Sequence, residues 1–307
     1  MYRYKIILNP QSGKGATGKR IPEIQQALNE LGLNYCLTLT ERPWHAAELA
    51  REAIVDGYDV IVAVGGDGTV NEIVNGILSC QDKDIGDAVL GVLPVGRGND
   101  FCFASGIPLD FKAACQNLAT ARVRTLDAGR ISSEQNSMTR YFGNGVGIGF
   151  DAVVSRVANR AKLTGFLGYL IAALQTMYIY YQAPEMQIEL SNEMIRQRSL
   201  MVSVMNGRRA GGGFLMAPNG NPGDGVFDLC IAKNISKAGI LLLIPRFIHG
   251  TQGTHPAIQF KKDTHVTVRA MDGLLPVHVD GEVLSADVKE LSVEILPGRL
   301  KVITDAS

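Results

Sequence analysis

The chain has 307 residues, a length that at ~100–200 residues per domain predicts two domains. Apolar residues make up 46% and charged residues 20%, which excludes a disordered chain. Lysine plus arginine equals aspartate plus glutamate at 30 each, so there is no basic excess of the kind that marks a nucleic-acid binder, and no nucleic-acid partner is expected.

The opening Met1–Pro10 runs directly into a strand-like segment and lacks the apolar core and small-residue cleavage site of a signal peptide. Tyr4–Asn9 reads as a strand, and Pro22–Leu31 as a helix with Ile24, Leu28 and Leu31 on one side. Strands at Tyr35–Thr40, Asp59–Val64 and Val89–Pro94 alternate with helices over Ala46–Asp56 and Val70–Leu78. This alternation predicts a parallel sheet covered on both faces, with the apolar runs Val60–Val64 and Val89–Leu93 at its centre.

Beyond about residue 128 the texture changes. Short strands are predicted at Arg140–Ile148, Met186–Leu190, Leu200–Met205, Val226–Ile231, Ala257–Phe260, His265–Ala270, Val277–Val279 and Glu290–Leu296. Helices over 155–181 and Lys237–Phe247 interrupt them, and the pattern is that of an antiparallel sandwich or barrel. Leu163 to Pro184 carries no charge and has about the ~20-residue length of a membrane span. Its threonines, glycines, glutamine and tyrosines suit a buried amphipathic helix better, so no transmembrane span is expected. Arg156, Arg160 and Lys162 precede it, as a solvated face or a contact with an anionic membrane surface. The five cysteines (Cys36, Cys80, Cys102, Cys115, Cys230) form no C-x-x-C pair and read as reduced, mostly buried thiols of a cytoplasmic protein.

Three glycine-rich turns carry the chemistry. Gly13–Gly18 spells G-x-G-x-x-G after the first strand, with Glu41 near the place of a ribose-binding acid; this is a weak dinucleotide signal. Read as a P-loop, the same stretch has Arg20 where a metal-binding hydroxyl belongs. Gly65-Gly-Asp-Gly-Thr69 is more informative. It ends a buried strand and opens a helix, where ligands of open α/β sheets bind and a helix amino terminus favours phosphate. Asp67 among those glycines repels bare phosphate unless it holds a metal or a sugar hydroxyl, which points to a nucleotide triphosphate with a metal. Pro94-Val-Gly-Arg-Gly-Asn-Asp100 repeats the logic with Gly96, Gly98, Asn99 and Asp100.

Together, Asn9-Pro-x-Ser-Gly-Lys14, Gly65-Gly-Asp-Gly-Thr69 and Pro94-x-Gly-x-Gly-Asn-Asp-Phe101 resemble the bacterial soluble diacylglycerol kinase-like lipid kinases, relatives of the sphingosine and ceramide kinases. The likeness continues through Asp127-Ala-Gly129, Phe142-Gly-Asn-Gly-Val-Gly-Ile-Gly-Phe-Asp151 and Asp224-Gly225 to Val279-Asp-Gly-Glu282. It implies an α/β nucleotide-binding domain of the phosphofructokinase and NAD-kinase type at 1–128, to which 298–307 returns. A β-sandwich lipid-substrate domain at 129–297 would follow, with catalysis in the cleft between them.

By that resemblance Asn9, Pro10, Ser12, Gly13 and Thr40 line ATP, and Gly66, Asp67, Gly68, Thr69, Asn71 and Glu72 lie under its phosphates. Lys14 and Arg20 meet phosphate or headgroup charge, and Arg97 stands where the family has threonine. Asp67, Asp100 and Asp127 hold Mg²⁺ through water or order the nucleotide, with Asn99 beside them. Asp280 is expected as the base that accepts the hydroxyl proton, with Glu282 as the competing assignment and a plain Asp-Gly hairpin as the bland one. Asn221, Asp224 and Val226 match a second, structural Mg²⁺ position. The implied activity is Mg²⁺-assisted transfer of the γ-phosphate of ATP to a diacylglycerol- or phosphatidylglycerol-like hydroxyl, by a cytoplasmic protein peripherally bound to the membrane. A homodimer is compatible with it. A kinase acting on a soluble substrate such as NAD, and an inactive nucleotide-binding regulator, remain the alternatives.

Overall fold

The computed structural model describes residues 2–160, 165–179, 182–284 and 287–304. The chain forms two compact units, Met1–Asp127 with Gly298–Ser307, and Ala128–Pro297. Lys162 lies outside the described residues, as do 163, 164, 180 and 181 of the uncharged segment that follows it.

Unit 1 is built on a parallel sheet of β1 (Arg3–Leu8), β2 (Asn34–Leu39), β3 (Val60–Gly65) and β4 (Val89–Pro94), in the order β2-β1-β3-β4. β3 is buried at every residue, as its unbroken apolar run dictates, whereas edge strand β2 alternates and stays half-exposed. Helices α1 (Ala16–Lys19), α2 (Ile21–Glu30), α3 (His45–Val55), α4 (Asp67–Gln81), α5 (Asp100–Ser105) and α6 (Phe111–Thr120) fill the connections. α3 and α4 cross closely at Gly76, where a Cβ would lie 2.7 Å from both the Ala47 carbonyl and the Ala50 methyl. Ile24 and Leu28 of α2 and Ala114 and Leu118 of α6 pack with Val60, Val62 and Val64, each buried valine, leucine or isoleucine contributing ~1.5–3 kcal/mol. The end of the chain returns to this unit: Val302 pairs with Leu90 of β4, and the Ile303 carbonyl accepts Asn117 Nδ2 at 3.1 Å.

β5 (Val123–Ser133) leads out of unit 1. Unit 2 adds β6 (Met138–Phe142), β7 (Gly145–Gly149), α7 (Phe150–Arg160), α8 (Gly165–Ile179), β8 (Glu185–Glu189), β9 (Met194–Met205) and β10 (Phe227–Lys233). There follow α9 (Lys237–His249), β11 (Ile258–Asp263), β12 (His265–Ala270), β13 (Val277–Val279), β14 (Glu282–Val283) and β15 (Glu290–Ile303). Among the described residues, the pairs made by β6 to β14 are antiparallel. β9 belongs to two sheets: its first half pairs with β8, and its second half pairs with β7 and β10. Between the layers lie Phe142 and Phe227, ring centroids 5.7 Å apart, with Ile148, Ile188, Val202 and Val268. A second apolar cluster on α7, α8 and α9 packs with Leu200, Met201 and Met205 of β9 and Cys230 and Ala232 of β10.

Two expectations are corrected. The single strand predicted over Arg140–Ile148 is two, β6 and β7, because Gly143 and Asn144 turn their amides onto the Asp280 carboxylate instead of a neighbouring strand. The helix predicted over 155–181 is described as α7, which starts earlier at Phe150, and α8 from Gly165. Cys80, Cys102, Cys115 and Cys230 are buried and Cys36 is exposed; burial pushes the Cys115 thiol up to about 11 and that of Cys230 to about 12. Among the described residues no helix is long and apolar enough to cross a membrane.

Candidate active site

Parallel strands put all their carboxyl ends on one edge, and in unit 1 the loops after β1, β3 and β4 meet there. Val95 and Gly96 both donate main-chain N–H groups to the Gly65 carbonyl, at 3.2 and 3.0 Å. A Cβ on Gly96 would lie 2.4 Å from Gly66 Cα, so residue 96 must be glycine for the two loops to touch. The third loop closes on the same point. A Cβ on Gly66 would be 3.6 Å from Ser12 Oγ, and Arg97 donates to the Gly13 carbonyl at 3.3 Å.

Asn9 ties this loop to the helix beneath it. Its Nδ2 donates to Thr69 Oγ1 at 3.2 Å, while its Oδ1 accepts the Gln11 N–H at 3.0 Å and shapes the turn. Pro10 accepts the Gly18 N–H, Lys14 is held at a positive φ of 61°, and Thr40 bonds the Leu8 carbonyl at the end of β1. Gly66 caps the fifteen-residue α4, whose first turn holds Asp67, Gly68 and Thr69. That terminus carries the Gly66 and Gly68 amides and the positive end of a helix dipole, both suited to phosphate.

Asp67 and Asp100 front the same glycine: a Cβ on Gly98 would lie 2.7 Å from Asp67 Oδ2 and 3.5 Å from Asp100 Oδ2. Asp67 is fixed by its other oxygen, which accepts the Phe101 N–H at 3.1 Å. Asn99, at a positive φ of 52°, starts α5 and donates to the Gly96 carbonyl. Two hard oxygen donors beside a helix terminus suited to phosphate are the donor type a nucleotide-bound Mg²⁺ takes, so this pair fits that ion.

Three of the candidate residues sit deeper. Glu72 is buried and its Oε2 accepts the Ala46 N–H at 3.1 Å, satisfying the start of α3. Asn71 receives Asn75 Nδ2 on both its main-chain and side-chain oxygens. Asp127 accepts the Gly298 N–H at 2.8 Å, which fixes the returning chain.

In unit 2, Asp280 and Gly281 are the two central residues of a hairpin joining β13 to β14, with φ of 48° and 84°. An Asp-Gly pair is the sequence that such a turn demands. Its carboxylate is not turned to solvent: it accepts the N–H groups of Gly143 at 3.0 Å, Asn144 at 3.0 Å and Gly145 at 2.8 Å. Glu282, two residues on in β14, is half-exposed.

His278 of β13 continues the network inward. Its Nδ1 accepts the Gly281 N–H at 3.2 Å, which leaves Nε2 to donate to Asp151 Oδ2 at 3.0 Å. Tyr169 donates to the other Asp151 oxygen at 2.5 Å. Burial alone would push the Asp151 carboxyl up, but His278 and Tyr169 hold it below the usual carboxylate range. Sequence reasoning gave Asp151 no role and left His278 unassigned. The signal was the register of Val279-Asp-Gly-Glu282 against the Phe142–Asp151 run, which only pairing of β13 with β7 reveals.

The 221–226 turn departs from an open metal site. Asp224 Oδ1 accepts the Val226 N–H at 3.3 Å, and Oδ2 accepts Lys262 Nζ at 3.1 Å. The same ammonium reaches Asp228 at 3.3 Å, and the Asn221 carbonyl faces the Asp224 N–H. An ammonium therefore pairs with these carboxylates at the turn where a structural Mg²⁺ was expected. Among the described residues no group of three or more His, Cys, Asp or Glu side chains could hold a metal. Arg156, considered for a membrane contact, pairs with Asp287 at 2.8 Å.

Comparison with known proteins covers almost the whole chain. Residues 3–131 match the family model of the diacylglycerol kinase catalytic domain, and residues 144–304 that of the YegS C-terminal NAD kinase beta sandwich-like domain. A diacylglycerol kinase of Bacillus subtilis (strain 168) is 29% identical over 285 residues, covering 92% of this chain and 90% of its own length. The crystal structure of a diacylglycerol kinase from Bacillus anthracis str. Sterne superposes with a TM-score of 0.76 at 20% identity, over 99% of this chain and 97% of its own. An NAD kinase from Archaeoglobus fulgidus, solved in complex with ATP, shares the fold with a TM-score of 0.54 at 13% identity, over 99% and 94% of the two chains.

Proposed function

Because the chain belongs to the family of diacylglycerol kinase and YegS-like lipid kinases, we propose that it transfers the γ-phosphate of ATP to the hydroxyl of a diacylglycerol- or phosphatidylglycerol-like lipid. The observation that carries this reading is the meeting of Asp67 and Asp100 at Gly98, on the edge where three loops converge over the α4 amino terminus. Phosphoryl transfer asks a protein chiefly to position its reactants and to offset charge. The amides of Gly66 and Gly68 hold phosphate, Asn9, Ser12 and Thr40 border the nucleotide, and Lys14 and Arg97 supply positive charge near it; Arg20 instead pairs with Glu23 at 2.8 Å and lies over the Phe111 ring. Asp67 and Asp100 would hold Mg²⁺, which when bound offsets charge on the β- and γ-phosphates.

The acceptor reading draws on unit 2. α7, α8, α9 and the β9–β10 face enclose an apolar cavity of about 60 Å³, lined by Phe150, Val154, Met201, Phe214, Leu243 and Phe247. It is smaller than the ~150 Å³ cavity that takes benzene, so in this conformation it does not hold a whole hydrocarbon chain. Asp151 and Tyr169 stand on its wall, which supports an acceptor with an apolar body and a polar head. Of the two carboxylates in the hairpin, Asp280 accepts three amides and Glu282 stands half-exposed two residues on; either can take the hydroxyl proton, and Glu282 is the competing assignment.

Incubation with labelled ATP, Mg²⁺ and a total lipid extract, followed by mass identification of the product, tests the reading. Phosphorylated lipid formed by the parent and not by Asp67→Ala is expected. Label found only in NADP after NAD is supplied would overturn the lipid acceptor, and tight ATP binding with no turnover would overturn the enzyme.

A further inference from the structure

Among the described residues, α8 and α9 bury one face each and leave the opposite face uncovered. On α8 the buried side carries Ala172, Ala173, Thr176 and Met177. The opposite side carries Leu167, Ile171, Gln175 and Tyr178, spaced at helical repeats along one stripe. Leu167 is 64% exposed and Tyr178 74%. On α9, Ile240, Leu243 and Phe247 face inward, while Leu241 and Leu242 face outward at 44% and 69% exposure. The two outer stripes adjoin, since Lys237 Nζ at the start of α9 lies 5.4 Å from the centre of the Tyr178 ring. Soluble surfaces seldom gather so many large apolar side chains unless something covers them.

Charge and position identify the cover. Neither helix carries an aspartate or glutamate, whereas α9 carries Lys237, Arg246 and His249. An apolar stripe with basic and aromatic flanks and no acid is the composition of a helix face that lies in the headgroup region of an anionic bilayer. The inner faces of the same two helices line the apolar cavity, so the outer stripes and the cavity lie on opposite sides of one pair of helices. We propose that Leu167, Ile171, Tyr178, Leu241 and Leu242 form the surface by which the protein docks on an anionic phospholipid bilayer. The inference rests on the lipid kinase reading and deepens it by naming the face that meets the membrane. None of these five side chains lines the cavity, so docking and phosphoryl transfer are separable.

Co-sedimentation with phosphatidylglycerol–phosphatidylcholine vesicles tests it. The triple variant Leu167→Glu, Leu241→Glu, Leu242→Glu should melt with the parent and partition onto vesicles about tenfold or more weakly. It should still phosphorylate lipid dispersed in detergent. Leu242→Trp, which keeps an apolar and interface-seeking side chain at the same place, should bind at least as well as the parent. A parent that ignores the vesicles, a triple variant that binds like the parent, or a Leu242→Trp variant that loses binding overturns the proposal. So does a triple variant that changes only from dimer to monomer, since the face would then join two copies of the chain. Vesicle binding lost in the triple variant while no lipid is ever phosphorylated upholds the docking face and sinks the kinase reading alone.

Discussion

Asp280 and Gly145 bond each other twice: the Asp280 carboxylate accepts the Gly145 N–H at 2.8 Å, and the Asp280 N–H donates to the Gly145 carbonyl at 2.9 Å. Together with the Gly143 and Asn144 amides, this makes one carboxylate the partner of three buried donors that no strand satisfies. A buried donor left unpaired costs ~1–3 kcal/mol. Asp280→Ala should therefore lower the melting temperature as well as abolish transfer, because the β6–β7 turn loses its anchor.

Glu282→Gln separates the two effects. The side chain is half-exposed in a two-residue strand, so the fold should hold, while loss of a general base slows turnover by ~10²–10⁴. Melting curves and initial rates on both variants check this. A Glu282→Gln enzyme with parental turnover removes Glu282 from the chemistry and returns the base to Asp280.

Much of this geometry was legible in the sequence, and the reason is local. The unbroken apolar run of β3 and the glycines after it identify a buried strand that ends in a phosphate turn, without reference to the rest of the chain. The same holds for the Asp280–Gly281 turn. What could not be read was register. That Asp280 meets Gly143 to Gly145, that His278 meets Asp151, and that Lys262 meets Asp224 depends on pairs 38 residues or more apart, fixed by sandwich pairings. Residues with a local chemical signature were found, and those whose role is set by a partner strand were not.

The loop convergence gives a steric prediction. Gly96→Ala places a methyl 2.4 Å from Gly66 Cα, main chain against main chain, so the loops after β3 and β4 must separate. ATP affinity by calorimetry should fall about tenfold or more, which is ~1.4 kcal/mol. Gly223→Ala, whose new Cβ would meet nothing closer than Asn221 Oδ1 at 3.8 Å, is the control and should bind ATP like the parent.

Asp67 should show its part in the metal dependence of the rate. Asp67→Asn keeps the acceptor for the Phe101 N–H but halves the carboxylate charge facing Gly98. Turnover at saturating ATP should fall, and the Mg²⁺ concentration for half-maximal rate should rise. A parental Mg²⁺ titration would exclude Asp67 from the ion.

Asp151 predicts a pH dependence of stability. Its carboxyl is held below the ordinary carboxylate value because, despite burial, His278 and Tyr169 stabilise the anion. A group depressed in the folded state contributes stability above its unfolded value and loses it as the pH falls through the folded one. Asp151→Asn should thus be less stable than the parent at neutral pH. The gap should narrow only below about pH 4, where the parent's carboxylate takes up its proton. Denaturant titrations from pH 7 downward test this, and a gap that closes between pH 7 and 5 would assign the effect to an imidazole instead.

The last expectation concerns Lys262, whose ammonium lies 3.1 Å from Asp224 and 3.3 Å from Asp228. Burial works against its charge, yet the two carboxylates hold it above the ordinary lysine value, while burial raises the Asp228 carboxyl. A cation that is part of the chain needs no supply from solution. Without nucleotide, the parent should therefore melt at one temperature in EDTA and in millimolar Mg²⁺. Lys262→Met leaves Asp224 and Asp228 facing each other with the Val226 turn beside them, a set of hard oxygens with no cation. That variant should melt lower than the parent by a small margin, since the pair is partly exposed, and should regain stability on addition of Mg²⁺. A parent that loses stability in EDTA would restore a divalent ion to this turn and make Lys262 its neighbour.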